Sequence, residues 1–203
     1  KPSVLGKEKA IEGAVYFTDN FKISPRLTTN IGIRFGGFAP MGEKTVYTYF
    51  ENNPKQDQYI QDSIQFQAGE IIKWYFSPDI RAAINYETDK NGSLKISYNR
   101  THQNIFMLNN TIAIAPNTQW KLADYYLKPA SSHQLSAGIF RNIPNGNWET
   151  SLEMFYKKTD NYTEFRDGAE VIDNANVEQT VLQGNQNAYG FELSIAKQQT
   201  EHS

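Results

Sequence analysis

The chain has 203 residues, 39% hydrophobic and 21% charged, with 20 basic side chains against 22 acidic ones. A formal charge of -2 offers no concentrated basic surface for nucleic acid. The absence of cysteine excludes disulfides, thiolate metal sites and cysteine nucleophiles together. No run approaches the ~18 apolar residues of a spanning helix. Residues 1–25 lack the charged-then-apolar order of a secretory signal, so a cytosolic, processed or fragmentary chain is expected.

Period two, the repeat of a strand with unlike faces, dominates in chain order. A first, less regular strand is expected around 10–18, with Thr18-Asp19-Asn20 as the turn that follows. Residues 26–35 then set Leu27, Thr29, Ile31, Ile33 and Phe35 against Arg26, Thr28, Asn30, Gly32 and Arg34. In 80–87, Ile80, Ala82, Ile84 and Tyr86 face away from Arg81, Ala83, Asn85 and Glu87. In 93–101, Leu94, Ile96 and Tyr98 alternate with Ser93, Lys95, Ser97, Asn99 and Thr101. The pattern recurs in 134–140 (Leu135, Ala137, Ile139), 148–157 (Trp148, Thr150, Leu152, Met154, Tyr156) and 188–196 (Tyr189, Phe191, Leu193, Ile195). No helical stripe competes with it.

The connections alternate in length. Asp89-Lys90-Asn91-Gly92 and Pro144-Asn145-Gly146-Asn147 carry tight-turn chemistry. Between them lie stretches of roughly 38–78, 105–132 and 161–186, beyond the ~12–15 residues usual for a structureless loop. The first holds strand-like pieces at Thr45–Phe50, Ile60–Phe66 and Ile71–Phe76, so it is expected to have structure of its own. Short turns should then gather at one end of a sheet and long loops at the other.

A soluble antiparallel sheet also alternates, packing its apolar face on a core. Here the polar faces recur with no second element to cover the apolar ones, and the turns are unevenly spaced for a sandwich. A transmembrane β-barrel accounts for both: lipid touches one face, a polar lumen the other, and aromatics gather at the two interfaces. Trp148 is then expected in the periplasmic girdle, with Tyr156, Phe35 and Tyr98 near the outer boundary. Whether Leu27, Ile31, Ile33, Leu152 and Met154 face lipid or a second sheet separates the barrel from a soluble or surface binding module, such as an adhesin or carbohydrate-binding domain.

The segment Tyr16–Phe35 resembles a barrel hairpin of TonB-dependent outer-membrane receptors, especially those of the Bacteroidetes type. So do Ser77–Tyr86, Gly92–Thr101, Leu127–Gly138 and Ala188–Leu193. This resemblance implies an all-β antiparallel barrel of about 22 strands, an N-terminal plug, and a box that couples to TonB. Neither plug nor box is visible, and the recognisable strands are odd in number whereas single-chain bacterial barrels have an even one. The expected reading of residues 1–203 is therefore part of the barrel of an outer-membrane receptor that imports a siderophore, haem, vitamin or glycan. The implied partners are outer-membrane lipid, TonB through the part not seen, the ligand, and a surface lipoprotein.

Bond-making chemistry finds no candidates. His102, His133 and His202 lack metal spacing, no nucleophile or phosphate-loop motif occurs, and Gly32–Gly37 is a glycine-containing strand end. Neither an enzyme nor a cofactor is expected. A hydrolase on a β-scaffold would need a convergent acid/base pair, and Glu149 and Glu153 are already accounted for by a polar lumen. The stretch 160–178 collects Asp160, Glu164, Asp167, Glu170, Asp173 and Glu178, which reads as a Ca²⁺ site or a solvated acidic loop. Loop aromatics Tyr47, Tyr49, Phe50, Trp120, Tyr125 and Tyr126 are the candidates for stacking on a ligand, with loop packing as the alternative.

Overall fold

The computed structural model describes residues 7–108, 119–166 and 176–197. Seven strands form one antiparallel sheet: β1 (Lys9–Ser24), β2 (Leu27–Met41), β5 (Tyr75–Asp89), β6 (Gly92–Gln103), β9 (Ala130–Ile143), β10 (Trp148–Phe165) and β11 (Val181–Lys197). They are neighbours in that order, so the sheet is a meander. Two ribbons rise from the ends of the long connections: β3 (Lys44–Tyr49) with β4 (Ile60–Phe66), and β7 (Ile105–Leu108) with β8 (Gln119–Leu122). The four-residue helix α1 (Val177–Thr180) leads into β11. Short turns all lie at one end and long connections at the other, as the alternation of lengths requires.

Register turns the period-two pattern into continuous surfaces. One row runs Phe21–Thr29–Ile84–Ile96–Ala137–Met154–Phe191 across the sheet. The next runs Asp19–Ile31–Ala82–Tyr98–Leu135–Tyr156–Tyr189. On the opposite face the corresponding row is Thr18–Gly32–Arg81–Asn99–Gln134–Lys157–Ala188. A one-residue slip in any strand would exchange its faces, so the two-sided environment fixes the register.

Among the described residues no second layer covers the apolar side. Ile31 is 42% exposed, Ile33 37%, Leu152 40%, Met154 57% and Phe191 81%. No other sheet of the described residues packs there, and the exposure fits an outward face in hydrocarbon. The border of the apolar face also climbs across the sheet. Following the register from Tyr189 on β11 leads to Ile31 on β2, yet the apolar run on β2 continues to Phe35. Four residues are about 14 Å and five strand steps about 24 Å, a slope of about 30°. Barrel strands tilt by roughly 35–45°, so a level membrane would cut this sheet along such a diagonal.

The structure corrects several boundaries. Thr18–Asn20 lies inside β1, and the first turn is at Pro25–Arg26, where the fixed φ of proline suits the first inner position of a β-turn. The long connections are shorter than expected because β2 runs to Met41, β5 begins at Tyr75, and β10 and β11 reach Phe165 and Val181. Near the loops both faces of β10 turn polar (Thr159, Asp160, Thr163, Glu164), so alternation fades while ladder hydrogen bonding continues. Ile71 makes only an isolated bridge to Met41, and Tyr75 onward belongs to β5. Of the acidic stretch, Asp160 and Glu164 stand on β10, Glu178 on α1, and residues 167–175 lie outside the described residues. His202 lies outside them too.

Two lumen-side aromatics have a local cause. Phe155 faces Gly190 across the ladder, where a Cβ would meet its ring at 2.9 Å, and Phe140 lies as close to the same point on Gly138. Phe155 covers a glycine on the neighbouring strand, whereas Phe140 lies over a glycine two residues away on its own strand. Arginine in place of Met154, in the middle of the outward face, should cost the membrane-inserted protein about 2–4 kcal/mol. Arginine in place of Ser97, on the other face, should cost well under 1 kcal/mol. Denaturant unfolding from lipid vesicles checks the contrast, and equal losses would contradict the assignment of faces.

Candidate ligand mouth at the loop end

The sheet is nearly coreless, and the buried apolar residues gather where the loops meet it. Phe38 from the inner face of β2 packs with Phe106 and Leu108 of β7, Ala123, Leu127 and Ala130. Ala10, Tyr75, Leu122, Phe165 and Val181 close around them. This cluster binds both ends of the sheet's outer rim to the β7–β8 ribbon. It is the platform on which the candidate residues stand.

A charged knot locks the platform. Asp124 accepts from Lys44 Nζ at 2.6 Å and pairs with Lys121 at 3.2 Å, while Lys121 also pairs with Glu8. The second carboxylate oxygen accepts the backbone N–H groups of Tyr126 (3.1 Å) and Leu127 (3.0 Å), and Tyr75 Oη donates to the Asp124 carbonyl. Burial alone would raise the Asp124 pKa, but Lys121 and Lys44 outweigh it and hold the carboxyl at about 2. Burial likewise works against a charged Lys121; Asp124 and Glu8 outweigh it and raise its pKa.

Four of the six candidate aromatics converge. The Tyr49 and Tyr126 rings are 6.0 Å apart and tilted, and Tyr125 meets Tyr126 edge-on at 5.0 Å. Tyr126 Oη donates to the Tyr47 carbonyl at 2.7 Å. Lys55 Nζ lies 4.1 Å above the Tyr126 ring, and Lys73 Nζ 5.4 Å from those of Tyr75 and Tyr125. Gln179, from α1, donates to Tyr49 Oη at 3.3 Å and Asp57 at 2.7 Å. Phe50 and Trp120 stand apart, 51% and 69% exposed. Burial raises the Tyr126 hydroxyl to about 12 and lowers the ammonium of Lys55, so near neutral pH the tyrosine is an uncharged donor.

A cleft of about 240 Å³ opens between Lys55, Tyr126, Glu178, Leu182 and Gln183. Gln183 fixes one wall, donating to the Lys128 and Asn161 carbonyls at 2.8 and 3.2 Å. On the inner face below, Arg81, Asn99, Thr101, Ser132, Gln134 and Lys157 line a polar recess of about 340 Å³. The arrangement offers cations, hydroxyls and ring faces to a bound molecule. No group of three or more His, Asp or Glu among the described residues is placed to hold a metal ion.

The chain matches the family model for the TonB dependent receptor-like β-barrel over residues 5–199. It belongs to that family. The family is one of transport receptors rather than enzymes. Among solved structures it is similar to the alcaligin outer-membrane receptor FauA of Bordetella pertussis, with 14% identity and a TM-score of 0.53. It is similar also to the ferric-catecholate import receptor Fiu of E. coli K12 in its closed form, with 17% identity and a TM-score of 0.56. Each match covers 96% of this chain, and the chain spans 28% and 26% of those two proteins respectively. No curated protein matches the chain. The shared fold accounts for the seven-strand meander and for its two unlike faces.

Sequence reading missed Lys55, Gln183 and the knot around Asp124. A signal for the last was present: Asp followed by N–H groups two and three residues on is the pattern of an Asx turn. Asp124→Ala would leave two lysines without their shared carboxylate and should cost the loop unit about 3–5 kcal/mol. The depressed pKa gives the pH dependence its sign. Stability from Asp124 is complete above the unfolded carboxylate value of roughly 4 and is lost as pH falls toward 2. The protection of the Leu127 amide, its exchange rate taken relative to the intrinsic rate at each pH, should fall in the wild type from pH 5 to pH 2 and be low throughout in the variant.

Proposed function

We propose that this chain is part of the barrel wall of an outer-membrane receptor that takes up a scarce nutrient by TonB-coupled transport in a Gram-negative bacterium. The observation that carries the reading is the uncovered apolar face backed by a continuous polar one, which suits a wall between lipid and a lumen. Family membership and the likeness to two import receptors support it. On this reading the plug and the TonB-coupling segment belong to the same receptor, outside the barrel stretch represented here. The resemblance of its hairpins to Bacteroidetes-type receptors makes a surface lipoprotein a partner of the assembled receptor.

Strands supply the wall, and the β3–β4 and β7–β8 ribbons supply part of the ligand mouth. Capture would use Tyr49, Tyr125 and Tyr126 as ring surfaces and Lys55 as the cation beside them, with Tyr47 holding Tyr126 in place. Phe50 and Trp120, exposed on their own ribbons, would meet a ligand only from outside this group. Haem and aromatic chelates would present flat rings and anionic groups to such a surface, and a glycan the C–H face of a sugar ring.

An antibody raised against residues 119–130 should detect a band far heavier than the 23.2 kDa of this chain, in the outer-membrane fraction of the source cells. A band near 23 kDa in the aqueous fraction would sink the proposal. Uptake of a labelled panel of iron chelates, haem, cobalamin and oligosaccharides should identify one ligand whose entry requires TonB. For that ligand, the double substitution Tyr49→Ala and Tyr126→Ala should weaken binding by about tenfold, since aromatic pairs and cation–π contacts contribute roughly 0.5–1.5 kcal/mol each. Unchanged affinity would remove these rings from the binding surface.

A further inference from the structure

Two recesses on the inner face join into one trough that none of the mouth tyrosines lines. The lower, of about 340 Å³, lies over the row Arg81–Asn99–Gln134–Lys157. The upper, of about 290 Å³, continues toward the loops between His102, Gln103, Met107, Tyr162, Thr163 and Gln186. Thr101, Ser132 and Lys157 line both. Register explains the continuity: Thr101–Ser132–Thr159–Gln186 is the next row on the same face, one step nearer the loops. From Arg81 on β5 to Lys157 on β10 is three strand steps, about 14 Å.

The lining is dense in hydrogen-bonding groups and, among the described residues, holds no carboxylate. Arg81 and Lys157 stand at opposite ends of the lower row, and neither makes an ion pair with a described residue. Asp79, the acid on this face of β5, is already held by Arg34 at 3.1 Å and His102 at 2.6 Å. Between the two cations lie the amides of Asn99 and Gln134, with the hydroxyls of Thr101 and Ser132 one row above. At its loop end the trough turns apolar. Met107 lines it there, and Trp120 stands opposite Met107 across the β7–β8 ladder with its ring exposed.

We infer that this trough binds an acidic oligosaccharide, with its carboxylates at Lys157 and Arg81 and its outermost ring on Trp120 and Met107. The inference rests on the receptor reading above and names the ligand class. Two separated cations suit negative charge spread along an extended chain, whereas a compact polyanion is best met by cations gathered around it. A neutral glycan would leave both cations unanswered, and a small inorganic anion would engage only one. The guanidinium of Arg81 offers paired donors to a carboxylate, and the Lys157 ammonium adds a second point of charge. Amides and hydroxyls between them match sugar hydroxyls, which both donate and accept. Trp120 presents an aromatic face to the C–H side of a pyranose.

The test uses the full-length receptor purified from its own outer membrane, with wild-type localisation read first. Its binding would be measured on immobilised fragments of pectate, alginate and hyaluronate, each beside the same chain with its carboxylates reduced to alcohols. The wild type should hold at least one acidic chain about tenfold or more tightly than the reduced form. R81Q/K157Q should abolish that preference, whereas K90Q, in a short turn at the other end of the sheet, should leave it intact. Indifference to the carboxylates in the wild type would overturn the inference, and so would a preference kept by the double variant. Faster proteolysis of the plug in the double variant, with glycan affinity unchanged, would assign the trough to the plug and overturn it too. If the double variant does not insert, K157Q alone carries the test, with a loss of about threefold expected. A receptor absent from the outer membrane would instead refute the underlying reading.

Discussion

Backbone hydrogen bonding is the constraint on which everything else in this protein depends. In hydrocarbon an unpaired N–H or C=O costs several kcal/mol, so only a structure that pairs them all can stand there. Between neighbours the seven strands meet this by an uninterrupted antiparallel ladder, with register shifts only close to the strand ends, at Lys22/Ser24, Glu87/Asp89 and Asp160/Tyr162. The outer edges of β1 and β11 present groups that adjoining barrel strands would pair. Pro78, which has no N–H to give, lies where the ladder from β5 to β6 has already ended at Ile80 and Arg100. Its absent donor is therefore harmless, and Asp79 is free to turn toward His102 and Arg34.

Once the ladder is fixed, side chains are sorted by solvent rather than by a core. The outward rows need only be apolar, and they are filled loosely with Ile, Leu, Ala, Met and Phe. The inner rows need only be polar, which leaves their charges available. Close packing is reserved for the loop end, where water surrounds the protein and a core has something to exclude. Phe38 shows the switch within one strand: on β2 the inner face is polar at Arg34, reduced to hydrogen at Gly36, and buried apolar at Phe38.

That division decides how much was legible in the sequence. Residues 26–35, 80–87 and 93–101 declared themselves because each lies between two environments, so alternation is enforced at every step. The same physics explains the misplaced first turn. Asp19 interrupts the outward face of β1 and, beside Asn20, imitates turn chemistry, although the ladder carries on to Ser24. Past Thr159 no lipid requires an apolar partner, and the extensions of β10 and β11 became indistinguishable from loop. The aromatic mouth was legible only as composition: Tyr49 and Tyr126 were both named, but nothing local shows that residues so far apart share one surface, nor that Trp120 stands elsewhere.

Asp124 is where these separate segments become one object. Its partners come from the residue before β1 (Glu8, through Lys121), from β3 (Lys44) and from the turn after β8. Loop ribbons of this length would otherwise pay the entropy of ordering independently. Tied through one buried carboxylate, they are ordered together, and Tyr126, whose N–H is bonded to that carboxylate, is positioned in the same step. The rings at the mouth are therefore set by the charged knot beneath them rather than by their own stacking. On the proposed function, a ligand arriving there would meet a surface whose ordering is already complete, which is the condition for tight capture at low concentration.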